Sequence, residues 1–199
     1  MSTNNNSAVI LKACKCAAEW HSGQRRKDIQ RTPYINHPLE VAEFLTSNGV
    51  TDLDTIVAAI LHDVIEDTEG TSEQIKQMFG DKVLEYVLDC SDNKSLDKVQ
   101  RKRLQIVHAG VISPQAKLVK LADKYSNVKD LLTNQPIGWT PEIVKGYVHW
   151  SMAVCRRLYG VNSEIDAQLN DLFKKHNVDV NMTDDDLNKH LEIYYESIL

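Results

Sequence analysis

Ala59-Ile60-Leu61-His62-Asp63-Val64-Ile65-Glu66-Asp67 joins an apolar helical run to a cluster of acids. Upstream, Ile56 and Val57 extend the run that continues through Ile60, Leu61 and Val64. A helix this apolar around its circumference belongs at the centre of a helical globule, not on its surface. On a continuous helix His62 lies over Glu66 and Asp63 over Asp67, because residues four apart share a face. Three carboxylates and an imidazole then crowd one helix end. Local rules oppose this: like charges four apart cost about 0.2–0.5 kcal/mol, and acids near a helix C-terminus meet the negative end of its dipole. Partial burial of an unpaired carboxylate costs more still. A bound divalent cation reverses the penalty, and broken local rules with an available remedy mark sites of function.

Working outward, nearly every segment reads as helix. Val9, Ile10, Cys14, Ala17 and Ala18 recur at helical spacing over residues 8–21. A polar loop over 22–32 leads to Pro33-Tyr34-Ile35, where a small β-hairpin near 32–35 is the one strand signal. Pro38 suits a first helical turn and Gly49 a stop. Asp52 is placed to cap the central helix, and Thr71-Ser72-Glu73-Gln74 reads as a capping box. Helices are expected around 82–91 and 97–109. Ser113-Pro114, Thr140-Pro141, Asn162 and Thr183 each open a further one. The expectation is an all-α globule of about ten helices. Residues 1–7 are polar and expected to be disordered, 8–176 to form the domain, and 177–199 to be a C-terminal helical extension. Tyr194, Tyr195, Ile198 and Leu199 give that extension an apolar face, which suits docking on its own domain.

Composition narrows the class. With 199 residues, 42% hydrophobic and 26% charged, the chain buries a full core without disulfides. A net charge of -5 argues against general nucleic-acid binding, so any anion site is a local patch. Cys14, Cys16, Cys90 and Cys155 form no C-x-x-C pair and read as buried free thiols. No secretory apolar region opens the chain and no run approaches a membrane span. The default expectation is a reducing, cytoplasmic setting, with no membrane and no nucleic-acid polymer as partner.

One His-Asp doublet cannot complete a coordination shell. Two further donors stand out: His37, directly before a helix start, and Asp123 in Leu118-Val119-Lys120-Leu121-Ala122-Asp123-Lys124. Two imidazoles and two carboxylates with open positions suit a borderline-to-hard divalent ion such as manganese or iron. A closed structural zinc site prefers four tight ligands including thiolates. Arg25, Arg26 and Lys27 can clamp phosphates, arginine bidentately. Arg101-Lys102-Arg103 reads as a solvated helical face, and His108, His149, His176 and His190 receive no role.

Four ordered blocks carry a family resemblance. They are His21-x-x-Gln24-Arg25-Arg26-Lys27, Thr32-Pro33-Tyr34-Ile35-Asn36-His37-Pro38, the Ala59-to-Asp67 stretch, and Leu121-Ala122-Asp123-Lys124-Tyr125-Ser126-Asn127. Together they resemble the hydrolase half of the RelA/SpoT enzymes, within the HD-domain superfamily, and most of all its stand-alone animal branch. The resemblance spans roughly residues 8–176. It implies an HD-domain fold and a Mn2+-dependent hydrolase that removes pyrophosphate from the 3′ position of (p)ppGpp, leaving GDP or GTP. It also implies an alternative, removal of the 2′-phosphate of NADPH. By motif position His37, His62, Asp63 and Asp123 would hold the metal, and Glu66 and Asp67 would orient or deprotonate the attacking water. Arg26, Lys27 and Asn127 would line the nucleotide pocket, joined by Lys94, Trp139 and Tyr147. A rival from another class is a non-catalytic helical module that binds a nucleotide or a protein. One departure is visible: family members often carry glycine before the Thr-Pro-Tyr block, where this chain has Arg31. If that position needs positive φ, arginine costs about 1 kcal/mol there.

Overall fold

The computed structural model describes residues 3–199. Eleven helices follow in order: α1 Thr3–Trp20, α2 Asn36–Ser47, α3 Leu53–Leu61, α4 Val64–Asp67, α5 Ser72–Phe79, α6 Asp81–Cys90, α7 Lys98–His108, α8 Pro114–Asp130, α9 Pro141–Leu158, α10 Ser163–Lys175 and α11 Asp184–Ser197. The all-α architecture matches expectation, with α4 a single turn. Among the described residues no helix is long and apolar enough to cross a membrane.

The apolar run does become the central helix. Every residue from Thr55 to Leu61 is buried, and α3 packs against α1, α2, α6 and α8. Asp52 starts it as expected, its carboxylate accepting from the Thr55 N–H at 2.9 Å and the Thr55 hydroxyl at 2.6 Å. The Thr71–Gln74 capping box forms, and Ser113, Thr140, Asn162 and Thr183 each accept from their own first-turn N–H groups. Burying orphan N–H groups without such partners would be expensive.

Three local expectations change. The apolar run and the acids do not share one continuous helix: α3 stops at Leu61, and α4 starts only at Val64. At the junction the His62 Nδ1–H donates to the Ala59 carbonyl at 2.7 Å. Asp63 then sits at φ -96°, ψ -4°. The hairpin near 32–35 shrinks to one antiparallel bridge between Arg25 and Pro33, because no longer run of extended residues flanks it. The polar start is helical from Thr3, so the described part of the segment expected to be disordered belongs to α1. Residues 1 and 2 of that segment lie outside the described residues.

The C-terminal extension docks on the domain. α11 packs chiefly on α9 and buries Leu187, Leu191, Tyr194 and Tyr195. Trp150 of α9 is buried and donates its indole N–H to the Lys102 carbonyl at 3.0 Å, tying α9 to α7.

Candidate metal centre and active site

The break after α3 points His62 and Asp63 toward α2 and α8. His37, in the first turn of α2, brings its Nε2 to 3.1 Å from Asp123 Oδ1 and 3.7 Å from Asp63 Oδ2. His62 Nε2 lies 3.2 Å from Asp63 Oδ2 and 3.8 Å from Asp123 Oδ1. Donor atoms of His37, His62 and Asp123 all fall within 4.8 Å of one another, with Asp63 beside them. Four residues from three parts of the chain converge.

Both imidazoles are turned the same way. His37 Nδ1 meets the Ser126 hydroxyl at 3.0 Å, and His62 Nδ1 is occupied by Ala59. Each Nε2 therefore faces the carboxylates, and the buried Nε2 of His62 has no hydrogen-bond partner of acceptable geometry. An orphaned buried nitrogen beside two carboxylates fits a cation site, with the outer hydrogen bonds that orient such ligands. Tyr34 donates its hydroxyl to Asp63 at 2.5 Å, and Asn127 and Lys124 donate to Asp123 at 2.5 and 2.7 Å. Burial works against the charged form of Asp63, yet the His62 imidazole beside it holds the carboxyl well below the usual range. Burial likewise opposes ionised Asp123, which Lys124 and both histidines hold low.

The two acids of α4 diverge. Glu66 turns into the cavity that contains the four converging residues, about 290 Å³ in volume. Its carboxylate accepts from the Asp92 N–H at 3.1 Å. Burial, then the Asp92 charge, pushes its carboxyl up to about 7. Asp67 faces an adjoining outer cavity of about 270 Å³ and is ion-paired with Lys94, while its carbonyl accepts from the Gln24 amide. As neighbours on one helical turn the two point about 100° apart, which sends one to each cavity.

Arg25, Arg26, Lys27, Asn127, Trp139 and Tyr147 all line the outer cavity. Arg26 donates to Asp130 at 2.6 Å and to Asn127 at 3.0 Å, which links the pocket to the metal-side Asp123. The Lys27 carbonyl accepts from the Ile137 N–H at 2.8 Å, drawing the Trp139 loop over this cavity. Arg25 turns its guanidinium back onto the Ser22 and Gln24 carbonyls. Lys94 lies outside both cavity walls, paired with Asp67.

The sequence reading missed a basic wall. Lys98, Arg101 and Lys102 of α7, with Lys120 and Lys124 of α8, line the metal-side cavity together with Tyr34, Trp150 and Tyr194. The stretch read as a solvated face thus sends two of its three cations inward; only Arg103 turns out, to Glu192. Lys120 and Lys124, four apart among the apolar residues Leu118, Val119, Leu121 and Ala122, were the available signal, and both prove buried.

Comparison with known proteins agrees with this geometry. Residues 13–138 match the HD domain family. A Xenopus tropicalis protein named guanosine-3′,5′-bis(diphosphate) 3′-pyrophosphohydrolase MESH1 is 45% identical over 178 residues, 89% of this chain and 99% of that protein. Its Homo sapiens counterpart is 43% identical over 177 residues, 88% of this chain and 99% of that protein. A solved structure described as a metazoan ortholog of SpoT that hydrolyzes ppGpp superposes with a TM-score of 0.84 at 41% identity, covering 86% of this chain and 97% of that one. Helical architecture, the matched domain and these near-full-length likenesses agree, and the chain belongs to the HD-domain family, within it to the animal MESH1 group of SpoT relatives.

Proposed function

We propose that this chain is a Mn2+-dependent (p)ppGpp 3′-pyrophosphohydrolase. The observation that carries the reading is the convergence of His37, His62, Asp63 and Asp123 beside a basic cavity and a carboxyl poised near neutrality. The relatives' printed activity supports the choice of substrate. The donor set, two imidazole nitrogens and two carboxylates, suits a borderline-to-hard divalent ion. Such an ion acidifies water and neutralises charge developing on phosphate oxygens.

The chain's own residues do the rest. Glu66, with its carboxyl pushed up to about 7, accepts a proton from the attacking water near neutral pH, where general-base efficiency is greatest. Asp67 positions: it holds Lys94, and its carbonyl anchors Gln24 at the root of the Arg25-Arg26-Lys27 loop. Trp139 and Tyr147, ring centroids 5.2 Å apart, offer the purine an apolar surface in the outer cavity. Lys27 and Asn127 border both cavities, so the ribose phosphates pass between them toward Glu66. The cations of α7 and α8 receive the negative charge.

A product assay tests this. Purified protein with Mn2+ is expected to release pyrophosphate from ppGpp. Orthophosphate released from NADPH at a higher kcat/KM would move the assignment to the 2′-phosphatase alternative. Release of neither product by metal-loaded protein would leave the non-catalytic module standing.

A further inference from the structure

The C-terminal helix lies beyond the four sequence blocks and beyond the matched domain, which ends at residue 138. It is nonetheless clamped hard. Arg103 of α7 makes a two-pronged pair with Glu192 at 3.1 and 2.7 Å, and its guanidinium sits 4.2 Å from the centre of the Tyr195 ring. Arg156 of α9 pairs with Asp184 at 3.0 Å and donates to the Val180 and Met182 carbonyls. The rings of His149 and His190 stack across α9 and α11 with centroids 4.2 Å apart.

These clamps aim one side chain. Tyr194 is 2% exposed, and its ring crosses α9 at Gly146. A β-carbon at position 146 would come 2.8 Å from Tyr194 Cβ and Cγ, closer than side chains pack. Glycine in a helix interior costs about 0.5–1 kcal/mol relative to alanine. The seat of Tyr194 accounts for it here. From that seat Tyr194 reaches the wall of the metal-side cavity. The Lys102 ammonium, on the same wall, lies 3.3 Å from the Trp150 ring centre, 4.9 Å from that of Tyr147 and 5.8 Å from that of Tyr194. Three rings from α9 and α11 thus surround a cation from α7.

We propose that α11 is a working part of the active site: Tyr194, seated on Gly146, completes the aromatic enclosure that holds the Lys102 ammonium at the metal-side cavity for a phosphate of the substrate. This rests on the phosphohydrolase reading and assigns a role to a helix that reading does not use. An ammonium against aromatic faces is attracted to them and shielded from water on those sides. Burial and then the neighbouring Lys124 charge push Lys102 well below the usual lysine range, so its charged form is the one an arriving phosphate on the open, cavity side favours, with the amine already held in position. Tyr194 is a positioning residue, since it acts through Lys102, and its loss should appear in substrate binding rather than in proton transfer by Glu66.

The test uses the full-length, Mn2+-loaded protein. Lys102→Met, which keeps the apolar stem, is expected to raise KM for ppGpp about tenfold, the scale of one charge-assisted hydrogen bond. Tyr194→Leu is expected to raise KM several-fold with kcat within about twofold, and Tyr194→Phe to restore it. The double variant Lys102→Met/Tyr194→Leu is expected to match Lys102→Met alone, because both act through one ammonium. Titration with inorganic pyrophosphate gives the same ranking without turnover. A Tyr194→Leu protein with lowered Tm but unchanged KM and pyrophosphate affinity overturns the proposal, as do additive effects in the double variant. Unchanged pyrophosphate binding by Lys102→Met overturns it even if Tyr194→Leu fails to fold. Failure of the wild-type protein to hydrolyse ppGpp would instead strike the functional reading.

Discussion

Glu66 shows at one residue what the cavity costs in stability. Burial and the nearby Asp92 charge push its carboxyl up to about 7 from an ordinary 4.5. Between those values the folded protein holds a proton that the unfolded chain releases. The neutral carboxyl's contribution is fully present below about 4.5 and is lost as pH rises through about 7. Glu66→Gln keeps the acceptor for the Asp92 N–H and removes the charge. In metal-free protein it is expected to raise the unfolding free energy at pH 8 by on the order of 2 kcal/mol, after discounting for partial solvent contact. The gain should shrink toward pH 5, and turnover should vanish at every pH. Urea denaturation at the two pH values checks it; an equal gain at both would remove titration as the cause. Arg31 is a second strained position, outside the chemistry. The conditional expectation is met: its φ is 55°, and its N–H donates to the Asp28 carbonyl at 3.2 Å. Arg31→Gly is expected to stabilise by about 0.5–1 kcal/mol, relief of left-handed strain less the added freedom of the unfolded chain. Because Arg31 stands outside both cavity walls, kcat/KM should not change. A Tm no higher than wild type would show that the strain does not exceed the freedom glycine adds to the unfolded chain.

Among elements, α3 sets the frame for everything it delivers. Asp52→Ala removes its cap and leaves the fully buried Thr55 hydroxyl without its acceptor. The expected loss is about 1–2 kcal/mol in urea unfolding, with kcat nearly unchanged because the helix end that forms the site is held separately by His62 and Ala59. A large fall in kcat at full folding would mean that the cap also sets the site. Caps of this kind were legible because the signal is chemical and local: an oxygen-bearing side chain just before an apolar-periodic run. The end of α3 was not legible. Nothing in the residue types of His62 and Asp63 forbids helix, and the imidazole folded back onto Ala59 at the junction is a contact that only the folded chain shows. The inward face of α7 was hidden for a related reason. Lys98, Arg101 and Lys102 show the same polar periodicity whether they face bulk water or a water-filled cavity. What decides is the packing of α9, where Trp150 reaches the Lys102 carbonyl. Tyr194 was equally hidden, since an apolar face marks docking without saying what lies underneath.

At the scale of the whole molecule, α2, the α3–α4 junction and α8 meet around His37, His62, Asp63 and Asp123. That convergence was legible from the blocks, since three of the four supply the donors: His37 from one, His62 and Asp63 from the next, and Asp123 from the last. The distances between donors were not, because they depend on how three helices pack. The packing implies a linkage between ion binding and global stability. An ion that binds these four side chains binds only the folded state, because in the unfolded chain they are separated by up to 86 positions. Such a ligand at one hundred times its dissociation constant stabilises by about 2.7 kcal/mol. For a domain of this size that is a rise in Tm of roughly 5–10 °C. Chelator-treated protein is therefore expected to melt lower by this amount and to recover as Mn2+ is added, with turnover returning over the same concentration range. His62→Ala should abolish both responses, because its buried Nε2 has no other partner, and should leave a cooperative melt lowered by the lost bond to Ala59. A full Mn2+-dependent rise in Tm in both His62→Ala and Asp123→Ala would place the ion elsewhere on the molecule. A rise in Tm without turnover in the wild-type protein would keep the metal centre and reject the chemistry assigned to Glu66.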